Sequence, residues 1–368
     1  SRQQSSRTPR TLAHNTTMAE FTSSYKVGYY EDTVSACIHA EADLSVWVPL
    51  NSSYEGALAG PYTFTYSCRK MFRNVTGLDV GLLPSDQRFE LPSIAYTATS
   101  KDAVSPKGII VYVHGVATSR FDQFKLAEEL ASAGYIVAAA GFANSGANDR
   151  KDMLGSYGGG MAGGNLIWET LALRVHTMER VREHLRQSFG DLPIGLVGHS
   201  MGAMTISLLN WDVPKCLISG GMGPEGCGPG AEVVTYAERG RTTPWPATQG
   251  SASLVFASKS NDMFYPAVVQ PGFTFETIEL ADEEASSVPQ TDLPNHCMIV
   301  VDGISHTAWL TDVVHYFFRK VKPFDTVYET TGIDALMCHD ASQARGPALN
   351  ENVMKPLIKR FFEKNVKK

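Results

Sequence analysis

Nowhere in its 368 residues does the chain carry the run of 18 or more apolar residues that a membrane-spanning helix needs. It also lacks an excess of positive charge. Lys and Arg number 32 against 38 Asp and Glu, for a formal net charge of -6 and a pI near 5.9. No basic stripe is available to offset phosphate repulsion, which excludes a nucleic-acid partner. The one basic cluster, Lys364, Lys367 and Lys368, reads as a solvated helix end. Internal repeats are absent. The cysteines (Cys37, Cys68, Cys216, Cys227, Cys297 and Cys338) show no metal-ligand spacing, so no metal or cofactor is implied. What is present is the composition of an ordinary soluble globule, 43% hydrophobic with a mean hydropathy of -0.13. The length allows a large core, as one elaborated α/β domain or two small ones.

Asn-x-Ser/Thr sequons begin at Asn15, Asn51 and Asn74, which tilts the reading toward a secreted glycoprotein. Residues 1–19 hold Arg2, Arg7 and Arg10, many Ser and Thr and no acid. An organelle transit segment has the same look, so a plastid-type location after leader removal is the alternative.

Residues 1–50 show no convincing periodicity and read mostly as an extension, of which Phe21 to Leu50 could lie along the body. Tyr62-Thr63-Phe64-Thr65-Tyr66 alternates aromatic with Thr, as an antiparallel edge strand does, and Phe89 to Ala98 is a weaker second strand. From Lys107 the pattern changes. Buried strands are expected at 108–113, 135–140, 194–197, 216–219, 252–257 and 296–301. Between them lie helical stretches, including a long one from Asn165 to Phe189 with Trp168, Leu171, Val175, Met178 and Leu185 on one face. A further helix is expected from Thr307 to Lys320. Strands alternating with helices over some two hundred residues mean a doubly wound, mostly parallel sheet. At the end of the chain Leu357, Ile358, Phe361 and Phe362 form an apolar stripe fit to dock on the body.

The stretch that organises the rest is IGLVGHSMGAMTIS, Ile194 to Ser207. A buried strand runs into Gly198-His199-Ser200-Met201-Gly202, a G-x-S-x-G turn, and then into a helix. That is the setting of a nucleophile elbow, in which a strained turn projects the serine hydroxyl and glycines let strand and helix close around it. A serine needs a base, and the base needs an orienting group. In a parallel sheet such groups gather at the carboxyl ends of the strands. His306 lies just past the end of the last strand and is the expected base. His296 opens that strand, on the wrong edge. His176 and His184 read as solvated surface residues, His114 as a structural hydrogen-bonder and His199 as packing. Asp262, in the loop after the 252–257 strand, is the expected acid, with Glu225 the competitor; Asp302 is too near His306 in sequence to face its ring. The backbone amides of Met201 and Val116 are the expected oxyanion donors.

With these residues in view, the chain resembles an α/β-hydrolase of the group that holds platelet-activating-factor acetylhydrolases, dienelactone hydrolases, polyester hydrolases and chlorophyllases. The resemblance is carried by Gly60-Pro61-Tyr62, the His114-Gly115 loop, the run Leu130 to Ala139, the elbow and Gly303 to His306. It departs from that group in two places. Several acetylhydrolases and chlorophyllases carry their acid just after the strand that here ends Ser219-Gly220-Gly221, where no Asp stands. Ser258 to Asp262 is instead similar to the polyester-hydrolase arrangement. Ala203 replaces a second glycine frequent after the elbow. The implied layout is an N-terminal extension (1–54), an α/β-hydrolase domain (55–322) and a C-terminal helical extension (323–368).

The resemblance implies a serine carboxylic-ester hydrolase with Ser200, Asp262 and His306 as its triad. Tyr157, Met161, Trp245, Phe264 and Tyr265 are candidate lining residues, with Phe273 and Phe275 nearby; they favour a small-molecule or lipid-like ester with an apolar acyl or alcohol part. An acyltransferase using the same triad and a non-catalytic binding module on the same fold are the alternatives. A peptidase is disfavoured, since no acidic cluster is arranged to hold a substrate amino terminus.

Overall fold

The computed structural model describes residues 25–35, 41–67, 86–115, 118–142, 164–220, 248–259, 273–280, 292–304, 306, 308–310 and 340–367. In chain order its strands are β1 (Lys26–Ser35), β2 (Glu41–Leu50), β3 (Tyr62–Ser67), β4 (Asp86–Leu91), β5 (Tyr96–Thr97) and β6 (Ile109–Val113). They continue as β7 (Ile136–Ala140), β8 (Ile194–His199), β9 (Lys215–Ile218), β10 (Ser253–Ala257), β11 (Glu276–Leu280) and β12 (His296–Val301). Ten of them form one sheet in the order β11-β12-β10-β9-β8-β6-β7-β2-β1-β5, while β3 and β4 pair separately. From β11 through β7 each neighbouring pair is parallel. The β7–β2 and β2–β1 pairs are antiparallel.

Helices cover both faces. They are α1 (Phe124–Ser132), α2 (Gly164–Phe189), α3 (Met201–Leu208), α4 (Asp340–Leu349) and α5 (Lys355–Asn365), with a π-helical turn at Asn350–Met354 between the last two. Every residue of β6 to β10 is buried, which is why those strands read as mainly apolar runs. Successive side chains go to opposite layers. Ile110, Tyr112, Val197, Ile218 and Phe256 pack with α1 and α5. Ile109, Val111, Leu196, Leu217 and Val255 pack with α2 and α3. The C-terminal stripe docks as expected, with Leu357, Ile358, Phe361 and Phe362 all buried.

The structure corrects the sequence reading at the amino-terminal side. Residues 26–50 are not an extension beside the body: β1 and β2 are two strands of the main sheet, paired from Lys26↔Leu50 to Ser35↔Glu41. The boundary expected at residue 54 therefore falls after a hairpin that the sheet already includes. The polar residues that blur the pattern of β1 have partners. Arg120 meets Glu31 at 2.9 Å and Asp43 at 3.4 Å, and His184 meets Asp32 at 2.9 Å. His184 is thus half-buried against β1 and not a freely solvated residue of α2. The strand expected at 62–66 is β3, and it pairs antiparallel with β4. Edge strand β11 carries the exposed Glu276 and Glu279, a polar cover that hides it from any apolar pattern. Most of the helix expected from Thr307 to Lys320 lies outside the described residues, and 308–310 form a turn.

Candidate active site

Strands β6, β8, β9, β10 and β12 are consecutive parallel neighbours, so their carboxyl ends lie along one rim. Each delivers a residue there: His114 after β6, Ser200 after β8, Ser219 after β9, Ser258 after β10, and the loop leading to His306 after β12.

Ser200 sits at φ 54°, ψ -122°, a conformation that a residue with a side chain adopts only under strain. Its N–H donates to Ile218 O at 3.0 Å, tying the turn to the end of β9. The flanking glycines are required by space. A Cβ at Gly202 would lie 1.9 Å from Val113 O, and one at Gly198 would lie 2.5 Å from the Gly202 backbone. The elbow can close only without them.

His306 is brought to Ser200 across 106 residues of chain, with Nε2 2.8 Å from the Ser200 hydroxyl. Several elements hold the loop that carries it. The Ile304 N–H donates to Ser258 Oγ at 3.2 Å, Gln123 Nε2 to Trp309 O at 2.9 Å, and Asn350 Nδ2 to Leu310 O at 3.0 Å. His199 Nε2–H donates to the carbonyl of His306 itself at 3.0 Å. A ring whose Nε2 accepts the serine proton carries its own proton on Nδ1. That atom lies 2.8 Å from Ser219 Oγ. Ser219 is fully buried and stands at φ 47° immediately beyond β9.

On the other side of Ser200, fully buried Arg174 of α2 clamps the turn after β6. Its Nη1 donates to His114 O at 2.6 Å and its Nη2 to Gly115 O at 3.0 Å, while the guanidinium lies 4.6 Å from the Phe142 ring centre. The Phe142 N–H donates to His114 Nε2 at 3.3 Å, which leaves His114 Nδ1–H to donate to Gly115 O at 2.7 Å. Burial, then the nearby Arg174 charge, push His114 well below the usual imidazole range. It is a neutral bracing group, as the sequence suggests. Close by, burial raises Asp122 to about 7, against the pull of its hydrogen bonds to Thr118 and Ser119.

The structure thus brings together Ser200 and His306, with Met201 as the first residue of α3, whose N–H the helix's own ladder does not use. Val116, Tyr157, Met161, Glu225, Trp245, Asp262, Phe264 and Tyr265 lie outside the described residues. Phe273 and Phe275 are partly buried against the core layer beneath α2 and α3. Sequence reasoning missed the roles of Arg174, His199 and Ser219. Arg174 had a signal: it falls three residues after Leu171 and four before Met178, on the apolar face of its helix. His199 does more than pack, because the His306 carbonyl is its acceptor. Ser219 directly follows a strand read correctly to within one residue, but a serine there carries no mark of its own.

Sheet order, helix placement and elbow define an α/β-hydrolase fold. No protein-family model matches the chain, and no curated protein matches it. Among solved structures it is similar to a ferulic acid esterase from Streptomyces cinnamoneus, at 16% identity and a TM-score of 0.53, over 93% of this chain and 90% of that one. An acylaminoacyl peptidase from Pyrococcus horikoshii aligns at 12% identity and a TM-score of 0.42, over 93% of this chain and 42% of that one. An α/β serine hydrolase without a lid from Xanthomonas campestris aligns at 11% identity and a TM-score of 0.36, over 85% of this chain and 97% of that one. The first of these shows that the fold is shared.

Proposed function

We propose that the chain is a serine carboxylic-ester hydrolase that forms an acyl-enzyme on Ser200. The observation that carries this reading is the 2.8 Å contact between the Ser200 hydroxyl and His306 Nε2 at a strained, glycine-flanked elbow. In the proposed reaction His306 takes the hydroxyl proton at Nε2 as Ser200 attacks the ester carbonyl. The oxyanion forms against the Met201 amide and, from the turn after β6, the Val116 amide. A peptide unit is planar, so Arg174's grip on Gly115 O also aims the amide that Gly115 shares with Val116. The proton on Nε2 passes to the leaving alcohol. Water deprotonated by His306 then attacks the acyl carbonyl and frees the acid. Asp262 belongs to the proposal as the carboxylate that offsets the imidazolium charge.

An ester with an apolar acyl or alcohol part is the proposed substrate, with Tyr157, Met161, Trp245, Phe264 and Tyr265 as its lining. A secretory route is proposed with it; Asn51 of the second sequon is exposed in the turn after β2. p-Nitrophenyl esters of increasing chain length, assayed on the parent and on Ser200→Ala and His306→Ala, test the reading. Hydrolysis by the parent with losses on the order of 10³-fold or more in both variants is expected. Equal activity in Ser200→Ala contradicts it. Acyl transfer to an added alcohol in preference to water would move the assignment to an acyltransferase.

A further inference from the structure

We propose that Ser219 is a positioning residue for His306, holding the ring at Nδ1 through its hydroxyl. The inference rests on the reading of Ser200 and His306 as nucleophile and base, and names a group that orients the base.

The geometry is direct. His306 Nδ1 lies 2.8 Å from Ser219 Oγ while Nε2 lies 2.8 Å from Ser200 Oγ, so the two serines grip opposite nitrogens of one ring. Nε2 must be bare to accept from Ser200, so Nδ1 bears the proton and Ser219 Oγ accepts it. The hydroxyl, able to accept that proton, accommodates the tautomer that can act as a base, and its fixed place orients the ring. Ser219 itself is rigidly placed: its N–H donates to Phe256 O at 2.9 Å, and its φ of 47° is set by the sharp exit from β9. The neighbouring residue, Ile218, accepts the Ser200 N–H, so one strand end fixes both the nucleophile's backbone and the base's ring. His199 completes the hold from the carbonyl side of His306. A hydroxyl supplies a dipole and no charge. It orients the ring well but stabilises the imidazolium less than a carboxylate in the same place.

The test uses the full chain and a fluorophosphonate probe, so that it depends on no particular ester. The rate constant of Ser200 phosphonylation and the probe's apparent affinity are measured for the parent, Ser219→Ala, Ser219→Asp and Asp262→Asn. Ser219→Ala is expected to slow phosphonylation by about 10- to 100-fold, with probe affinity within about twofold of the parent. Asp tolerates positive φ, so Ser219→Asp is expected to restore most of the rate. It should also move the acidic limb of the rate profile to higher pH than the parent's, because a carboxylate beside the ring favours its charged form. The downfield Nδ1 proton resonance of His306, identified by its loss in His306→Ala, is expected to shift in Ser219→Ala. Ser219→Ala reacting within twofold of the parent while Asp262→Asn collapses would overturn the proposal in favour of Asp262. Equal losses in Ser219→Ala and Ser219→Asp, with no change in the pH profile, would reduce Ser219 to a packing role. A parent that never labels at Ser200 refutes the hydrolase reading itself, and an Nδ1 resonance unmoved in Ser219→Ala refutes the contact.

Discussion

The side chain that does most to shape the surroundings of Ser200 without touching it is Arg174. A fully buried guanidinium is costly unless its donors are satisfied, and two of them are spent on the carbonyls of His114 and Gly115. Its planar fork can reach both at once, which an ammonium cannot do with the same geometry. Arg174→Lys is therefore expected to fold and yet lose about 10-fold in kcat, because the turn proposed to face the oxyanion is held at one point and not two. Arg174→Met withdraws both donors and is expected to lower stability by about 1–3 kcal/mol as well. Urea unfolding and steady-state rates for the two variants check this. An unchanged kcat in both would mean that the His114–Gly115 turn is held by its other contacts alone.

At the scale of elements, the sequence disclosed what is buried on two sides or strained, and hid what is polar or borrowed from elsewhere. β6 to β10 were legible because helices on both faces bury every position and leave polar side chains only at strand ends, at His199, Lys215 and Ser253. The elbow was legible because Gly198 and Gly202 stand where a Cβ has no room. β2 was legible in principle: Leu44, Val46, Val48 and Leu50 alternate onto one core layer. Its partner β1 is masked by Glu31 and Asp32, whose partners Arg120 and His184 lie far along the chain. The site divides in the same way. Ser200 and His306 follow from motif and strand order, whereas Ser219 and His199 matter through contacts with a loop about a hundred residues later. The C-terminal stripe announced that it would dock. That its preceding turn would carry Asn350 to the Leu310 carbonyl, bracing the loop of His306, is a fact of three-dimensional packing alone.

For the whole molecule, two buried groups give stability an unusual dependence on pH. Burial raises Asp122 to about 7, well above an ordinary aspartate near 4. Burial lowers Lys215 to about 7, with Asp212 pulling the other way, although its Nζ donates to Leu209 O and Thr248 O. Between about pH 4 and 7 the folded protein keeps a proton on Asp122 that the unfolded chain has lost, so stability falls as pH rises. Between about pH 7 and 10 the unfolded chain keeps a proton on Lys215 that the folded protein lacks, so stability rises. Each contribution is at most about 1.4 kcal/mol per pH unit, and together they favour a minimum near neutrality. Melting curves from pH 4 to 10 should show the acidic-side slope flattened in Asp122→Asn and the alkaline-side slope flattened in Lys215→Met. Slopes identical to the parent's in both variants would remove this account. The central claim needs less: a sheet rim that turns one hydroxyl into a nucleophile. It is tested most directly by treating the intact protein with a fluorophosphonate and locating the adduct by mass spectrometry. The account predicts a single equivalent on Ser200, absent in Ser200→Ala and formed far more slowly in His306→Ala. An unlabelled parent, or label retained in Ser200→Ala, would contradict it.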